Sequence, residues 1–207
     1  MLTGPQTPFT DDSKTYISTG NSEGCFPLSV SGRPAPLCVS AQDFPGIIRI
    51  AQLFQADIGR VTGARPELLT DGLPPAKEVV LIGTLGHSPI IDRLVQDQKL
   101  DVTDLAGKWE TSLIQVVEKP LAGVNRALII AGSDKRGTLY GMFDLSSRIG
   151  VSPWYWWADV PVRQQRDLFV LPGRHIQGEP AVKYRGIFIN DEAPALSKWA
   201  QEKFGGL

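Results

Sequence analysis

Hydrophobic and polar positions alternate along this chain in two patterns, one typical of strands and one typical of helices. Val79–Gly83 is a continuous apolar run, as expected of a strand that is buried on both faces. Shorter apolar runs, bounded by glycine, proline or polar residues, predict further strands at Pro27–Val30, Leu37–Val39, Leu113–Val117, Ala127–Ala131 and Asp167–Leu171.

Between these strands, apolar residues repeat with the spacing of one helical face. Ser40 and Asp43 have the spacing of a capping box, Pro45 follows in the first turn, and Gly63 ends the first helix. Its predicted inner face is Ile47, Ile50, Ala51, Phe54, Ile58 and Val61, and its outer face is Arg49, Gln52, Asp57 and Arg60. Further helices are predicted over Ser88–Gln98 and Arg136–Ile149, the latter with Leu139, Met142, Phe143, Ser146 and Ile149 inside and Gly150 after its end.

This alternation predicts an α/β fold with a largely parallel or mixed central sheet. The pattern stops near Pro172 and restarts with a strand at Val182–Ile189 and a helix at Ser197–Phe204. A single strand–helix unit cannot bury its own apolar faces, so we expect the beginning of a second domain that this chain does not complete. The predicted organisation is a flexible lead-in at 1–22, an N-terminal α/β domain at 23–172, a linker at 173–181 and the second domain from 182 to 207.

Composition and charge exclude several functional classes. The chain has 207 residues, 42% of them hydrophobic, and its 21 Lys and Arg against 22 Asp and Glu give a net charge of −1. This balance argues against a duplex nucleic-acid binder and against a polybasic membrane-surface protein. No apolar run is long enough to span a bilayer, and the polar segment Met1–Ser13 lacks the layout of a signal peptide.

The cysteines and histidines of the sequence also give little support for a metal site or a nucleophilic catalyst. Cys25 and Cys38 could form one bridge but no disulfide framework, and with two histidines they show no zinc-ligand spacing, so no metal site is predicted. His87 and His175 have no serine or cysteine partner nearby in sequence, and we expect both to be incidental.

The first candidate site is the loop Ala131–Gly137, which joins a buried strand to a helix N-terminus. Free N–H groups at such an end suit a carboxylate or phosphate, and Lys135 and Arg136 add positive charge. The alternative is that Ser133 or Asp134 caps the helix while the basic pair is solvated. The loop lacks the order of a Walker motif, and no dinucleotide fingerprint or nucleophile elbow occurs nearby.

The second candidate is the aromatic run Trp154–Trp157. Four consecutive aromatic side chains cannot all point inward, so some lie in an interface or line a groove that suits flat sugar faces. Packing between two domains explains the run equally well.

The third candidate is Asn190-Asp191-Glu192, at the end of the predicted strand Val182–Ile189. In a (β/α)8 barrel, the carboxyl end of each strand faces the active site. Adjacent carboxylates in an extended segment point to opposite sides, so at most one of them faces a substrate. The alternative is that the aspartate caps the following helix.

Three long strings together resemble the N-terminal part of glycoside hydrolase family 115, the xylan α-1,2-glucuronidases. They are Ala131–Gly141, Gly150–Pro161 and Tyr184–Leu196, and the resemblance extends from about Phe26 to Leu207. It implies an N-terminal α/β domain followed by a catalytic (β/α)8 barrel, whose first β/α unit would be 182–207. It also implies inverting hydrolysis of the α-1,2 bond between glucuronic acid, or its 4-O-methyl form, and xylose, without a cofactor.

By the same resemblance, Asp191 is the first choice for a catalytic residue and Glu192 the second, with Asn190 beside them. Lys135, Arg136, Trp156 and Trp157 become walls of the pocket for the negatively charged uronate. The implied partner is glucuronoxylan, the implied location is extracellular or periplasmic, and full-length members are expected to include homodimers.

A barrel needs about 200–250 residues, so we expect the general acid to lie outside this chain and the isolated chain to be inactive. Two other functions stay open. One is a non-catalytic carbohydrate-binding module that uses Trp154–Trp157, and the other is a phosphate- or nucleotide-binding domain that acts through Ser133–Gly137.

Overall fold

The structure is a computed structural model that describes residues 15–190 and 195–206. Its strands are β1 (Ile17–Ser18), β2 (Phe26–Val30), β3 (Arg33–Pro34), β4 (Leu37–Val39), β5 (Leu68–Leu69), β6 (Glu78–Thr84), β7 (Ser112–Glu118), β8 (Arg126–Gly132), β9 (Leu168–Val170) and β10 (Arg174–Gln177). Its helices are α1 (Pro45–Thr62), α2 (Pro89–Gln96), α3 (Lys135–Arg148), α4 (Tyr155–Ala158) and α5 (Ala195–Phe204). We call residues 15–177 the α/β body and the described residues after them the downstream arm.

The larger sheet has six strands in the order β10-β7-β8-β6-β4-β5. Strands β5, β4, β6 and β8 run parallel, and β7 and β10 continue the sheet in antiparallel orientation. The apolar residues of β6 and β8 are fully buried, as expected of central strands covered on both faces. The predicted α/β fold with a mixed central sheet is confirmed.

Alternate side chains of the central strands pack into two separate hydrophobic cores, one on each face of the sheet. Ile82 and Ile130 pack with α1, α3 and a smaller sheet on one face, and Leu81 and Ile129 pack with α2 on the other. The two faces explain why both strands read as continuous apolar runs.

The smaller sheet is antiparallel, with strand order β1-β9-β2-β3. Strand β1 falls inside the segment for which the sequence predicted no ordered element, and Tyr16 beside it is buried. Strand β10 falls inside the predicted linker and pairs with β7. Both strands are short and held by backbone pairing at sheet edges, which leaves little trace in a hydrophobic pattern.

The predicted capping box at the start of α1 is wrong. The N-cap residue is Phe44, which makes no side-chain capping bond. The buried Asp43 instead accepts from the Thr84 N–H at 2.7 Å, and its other oxygen accepts from the Phe44 N–H. It therefore ties the start of α1 to the end of β6. Gly63 ends the helix in the left-handed conformation, as predicted.

Two helical faces also differ from the expectation. Asp57, predicted on the outer face of α1, is buried and accepts from the Arg60 guanidinium at 2.7 Å. Burial raises the pKa of Asp57, and Arg60 opposes that rise. On α3, Leu145 is buried whereas Phe143 is 40% exposed, because close contacts of Gly137 and Gly141 turn that face of the helix toward the sheet.

The predicted strand at Val182–Ile189 is absent: residues 182–190 are irregular, and Phe188 is 90% exposed. A strand needs a neighbour for its backbone hydrogen bonds, and none lies beside this segment in the described part of the chain. Helix α5 is present where the sequence predicted it. The β/α unit of a barrel is therefore not formed here.

Cys25 and Cys38 are both buried free thiols, and burial, with a contribution from Glu67, raises the pKa of Cys38 to about 11. None of the described helices combines the length and the apolar character needed to cross a membrane.

Candidate functional site

The loop between β8 and α3 uses its polar groups on the neighbouring segment 110–111. Asp134 caps α3 by accepting from the Gly137 N–H at 2.8 Å, and its other oxygen accepts from the Glu110 N–H at 2.9 Å. The Ser133 hydroxyl oxygen accepts from the Thr111 N–H at 3.0 Å, while the Ser133 N–H donates to the Thr111 carbonyl. The capping alternative therefore describes this loop, because Asp134 takes the place that an anion would occupy.

The glycines of this loop allow a close approach of two backbones. A Cβ on Gly137 would lie 2.2 Å from the Thr111 carbonyl oxygen, and one on Gly132 would lie 2.0 Å from the Thr138 nitrogen. Close packing of the two backbones therefore explains why glycine stands at these two positions.

Glu110 lies at the centre of a charged cluster next to this loop. Its side chain is 5% exposed and accepts from Arg136 at 2.8 Å and, through the other carboxylate oxygen, from Arg185 of the downstream arm. Arg185 also donates to the Tyr140 hydroxyl at 3.3 Å. The hydrogen bonds from Arg185 and then Arg136 lower the pKa of Glu110. We call Glu110, Arg136, Tyr140 and Arg185 the Glu110 cluster.

The Glu110 cluster gives the two basic residues of the loop, Lys135 and Arg136, different surroundings. The charge of Arg136 is shared with Glu110, whereas Lys135, in the same helical turn, is exposed. Two guanidinium groups against one carboxylate leave the cluster with an excess of one positive charge.

The aromatic run forms the short helix α4 and receives α5. Trp154 and Trp157 are 52% and 53% exposed. The Trp157 ring stacks on Trp199 with centroids 4.5 Å apart and planes 9° apart, and Lys203 pairs with Asp159 at 2.9 Å. The contact with α5 matches the packing alternative for Trp157. The side chain of Trp156 lies outside the described residues.

Of the third candidate site, Asn190 is described and exposed, while Asp191 and Glu192 lie outside the described residues. The downstream arm nevertheless contacts both other candidate sites: Arg185 meets Arg136 through Glu110, and Trp199 meets Trp157.

A second polar cluster lines a cavity of about 520 Å³ next to β10 and the start of β7. The Tyr16 hydroxyl donates to Asp144 at 2.6 Å, and its ring stacks on His175 with centroids 4.4 Å apart. The Arg148 guanidinium lies 5.6 Å from the same ring centroid. Burial raises the pKa of Tyr16 and lowers that of His175. The sequence had treated His175 as incidental.

Sequence reasoning missed Glu110 and Arg185. Arg185 stands inside one of the strings that carried the family resemblance, yet nothing in its neighbours marks an ion pair across 75 positions. Glu110 stands just before a strand, where a charged residue is ordinary.

Two comparisons with known proteins point to the same family. The model of glycosyl hydrolase family 115 matches residues 177–207. A solved structure described as a family GH115 4-O-methyl-alpha-glucuronidase, BtGH115A, with specificity for decorated arabinogalactans is 32% identical to this chain, with a TM-score of 0.69. The match covers 86% of this chain and 22% of that one, so this chain spans about a fifth of that relative's length.

A second solved structure, described as that of CpGH84D, is 10% identical with a TM-score of 0.43, and covers 75% of this chain and 22% of that one. At that TM-score the likeness supports no argument. No curated protein sequence matches this chain.

Proposed function

This chain belongs to glycosyl hydrolase family 115, and we propose that it is the N-terminal portion of a glycoside hydrolase that removes glucuronic acid, or 4-O-methylglucuronic acid, from a polysaccharide. The observation that carries this proposal is the 32% identity over 86% of the chain to a 4-O-methyl-alpha-glucuronidase. The match of the family model to residues 177–207, which contain the Asn190-Asp191-Glu192 corner, supports it.

The proposed reaction is inverting hydrolysis of an α-1,2 bond. An inverting enzyme uses one carboxylic acid to protonate the leaving oxygen and a second carboxylate, about 6.5–9.5 Å away, to activate water on the other face of the sugar. Asp191 is the proposed member of that pair in this chain, and Glu192 is the second choice. Because neighbouring residues in an extended segment face opposite sides, the other member must come from a different part of the enzyme.

Binding of the uronate is assigned to Asn190 together with residues of the other two candidate sites. Asn190 supplies an amide for sugar hydroxyls, and Trp156 and Trp157 supply aromatic surface. Lys135 is the stronger candidate for the uronate carboxylate, since Arg136 already pairs with Glu110 at 2.8 Å.

The polysaccharide is proposed to be glucuronoxylan. Because the relative is described as specific for decorated arabinogalactans, these polysaccharides are the alternative substrate. The choice between them is expected to depend on contacts with the backbone sugars.

The enzyme that contains this chain should release uronic acid from glucuronoxylan, and proton NMR of the fresh product should show the β-anomer. Asp191→Asn should lower kcat by at least about 100-fold, the size expected for loss of a general acid or base. The matched Asp71→Asn variant, on an exposed carboxylate of the α/β body outside the corner, should retain activity. If uronic acid is released from arabinogalactan and not from glucuronoxylan, arabinogalactan replaces glucuronoxylan as the proposed substrate. Release of the α-anomer would overturn the inverting mechanism.

The 207-residue chain by itself is proposed to be inactive, because it supplies only one of the two carboxylates at the reacting bond. Uronic acid released by the purified chain, and lost in its Asp191→Asn variant, would contradict this.

A second candidate function is non-catalytic carbohydrate binding by the aromatic run. The observation in its favour is that Trp154 and Trp157 are each about half exposed. Quenching of tryptophan fluorescence by glucuronoxylan, abolished in Trp154→Ala, would support it. Binding that survives both Trp154→Ala and Trp157→Ala would remove the aromatic run from consideration.

A further inference from the structure

We propose that Glu110 is a positioning residue, which holds Arg185 and thereby fixes the segment that leads to the Asn190-Asp191-Glu192 corner against the α/β body. The inference deepens the proposed function, on which it rests for the role of that corner. Arg185 lies five positions before Asn190, so its contact with Glu110 restricts where the chain can lie shortly before this corner.

Glu110 is itself held rigidly. Its backbone takes the left-handed conformation, with φ of 50°, and its N–H donates to Asp134 at 2.9 Å. The next residue, Thr111, exchanges hydrogen bonds with Ser133 in both directions. Because Gly137 leaves no room for a Cβ beside the Thr111 carbonyl, the whole connection packs directly on the start of α3. The loop between β8 and α3 therefore holds the Glu110 carboxylate in place.

Arg185 uses several of its donors at once. One terminal nitrogen donates to Glu110 and to the Tyr140 hydroxyl, and the other donates to the Val182 carbonyl of its own segment. Its guanidinium also lies 6.0 Å from the centroid of the Trp109 ring. A lysine has one compact cationic group and could not make this set of contacts together.

The attachment has a second point on the same connection. The Trp109 N–H donates to the Glu179 carboxylate at 3.0 Å, so residues 109 and 110 hold the arm at two positions six apart. Between them and Asn190, the apolar side chains Ile187 and Phe188 face solvent. Polar contacts to 109–110, rather than burial, therefore hold this part of the arm.

Removal of Glu110 should affect the arm more than the body. Arg136 is 59% exposed and stays solvated without its partner, whereas Arg185 loses the charge that draws it to the body. Glu110→Gln keeps the shape of the side chain and removes the charge, and the α/β body retains both cores.

The direct test is the rate of trypsin cleavage after Lys183, followed by mass spectrometry on the 207-residue chain. Glu110→Gln should accelerate this cleavage at least about tenfold, as expected for loss of a charge-assisted hydrogen bond, with an unchanged midpoint of urea unfolding. Arg185→Gln, which leaves Glu110 paired with Arg136, should give a similar increase, and the double variant should add nothing to it. Asp104→Asn is the matched control, since it breaks a carboxylate–arginine pair of 3.0 Å with Arg174 inside the body.

In the full enzyme, Glu110→Gln should lower kcat and leave KM nearly unchanged, and Asp104→Asn should change neither. Cleavage after Lys183 at the wild-type rate in both Glu110→Gln and Arg185→Gln would overturn the proposal, and so would faster cleavage without any change in kcat. An enzyme that releases no uronic acid would overturn the proposed function instead, while the cleavage rates would still report whether Glu110 holds the arm.

Discussion

Strand β6 and the segment Ile187–Ile189 are similar in sequence, but only β6 is a strand in the structure. Both are short apolar runs next to glycine or a polar corner, yet the apolar residues of β6 are buried, whereas Ile187 is 85% exposed. Strand β6 lies between β4 and β8 and pairs with both. No strand lies beside Ile187–Ile189 among the described residues. An apolar run specifies a strand only where another strand receives its backbone hydrogen bonds.

The two regions also differ in what stabilises them. Two apolar cores hold the α/β body, whereas the arm is attached through the Glu110 cluster, the Trp157–Trp199 stack and the Lys203–Asp159 pair. Ion pairs weaken with salt, whereas apolar burial does not. Substitutions of matched residue types in the two regions measure this difference.

The largest contrast is expected between two phenylalanines. Phe54 on α1 is 1% exposed, so Phe54→Ala should lower the free energy of unfolding by about 3–5 kcal/mol. Phe188→Ala should change it by less than about 0.5 kcal/mol, since the side chain is already in water. Urea unfolding followed by circular dichroism measures both. Equal losses would mean that the arm shares the core of the body.

Two glycines give the next contrast. Gly132→Ala places a Cβ 2.0 Å from the Thr138 nitrogen and should cost about 3 kcal/mol, the size of a tightly overpacked core site. Gly186→Ala in the arm meets no atom within 4 Å and should leave stability unchanged. Thermal unfolding of the two variants decides this. A stable Gly132→Ala protein would show that the β8–α3 junction can relax.

The boundary between the two regions can be examined through pH. Burial lowers the pKa of His175 on β10, so the unfolded chain binds its proton more tightly than the folded chain does. Stability should therefore fall as the pH drops below about 6.5, the ordinary histidine value, and then level off below the folded pKa. His175→Gln should remove this decrease, as measured by urea midpoints between pH 5 and pH 8. An unaltered pH profile in His175→Gln would place the titration elsewhere.

The smallest effect on global stability is expected at the aromatic contact between the regions. Trp157→Ala removes a stacked pair worth about 0.5–1.5 kcal/mol, but it releases only α5 from α4. Amide exchange across residues 196–204 should accelerate while the unfolding midpoint stays fixed. Trp154→Ala, at nearly the same exposure, should leave α5 protected.

Much of the body could be predicted because its cause is periodic. The inner face of α1 and the continuous runs of β6 and β8 repeat at the spacing of a helix or a doubly covered strand, and they were predicted within one or two residues. Strand β10, with the sequence Arg174–Gln177, shows no such repeat, because its pairing with β7 uses backbone groups that every residue has.

The candidate site was predictable only in part. Asp134 was named as a possible cap, since aspartate before a helix has a local role that can be read from sequence. Glu110 and Arg185 meet across 75 positions, and no local rule links them. Asp43 and Asp57 show the same limit, because each is a buried carboxylate whose partner or burial depends on the tertiary fold.

The smaller sheet has a consequence for synthesis on the ribosome. Strand β2 pairs with β3 on one side and on the other side with β9, about 140 positions later in the chain, so this second partner does not exist when β2 leaves the exit tunnel. At about 5–20 residues per second, the wait lasts roughly 7–30 seconds. During that time Phe26 and Leu28, fully buried in the finished protein, stay uncovered by β9. This early stretch is therefore the part of the nascent chain where we expect a chaperone that recognises apolar segments to bind.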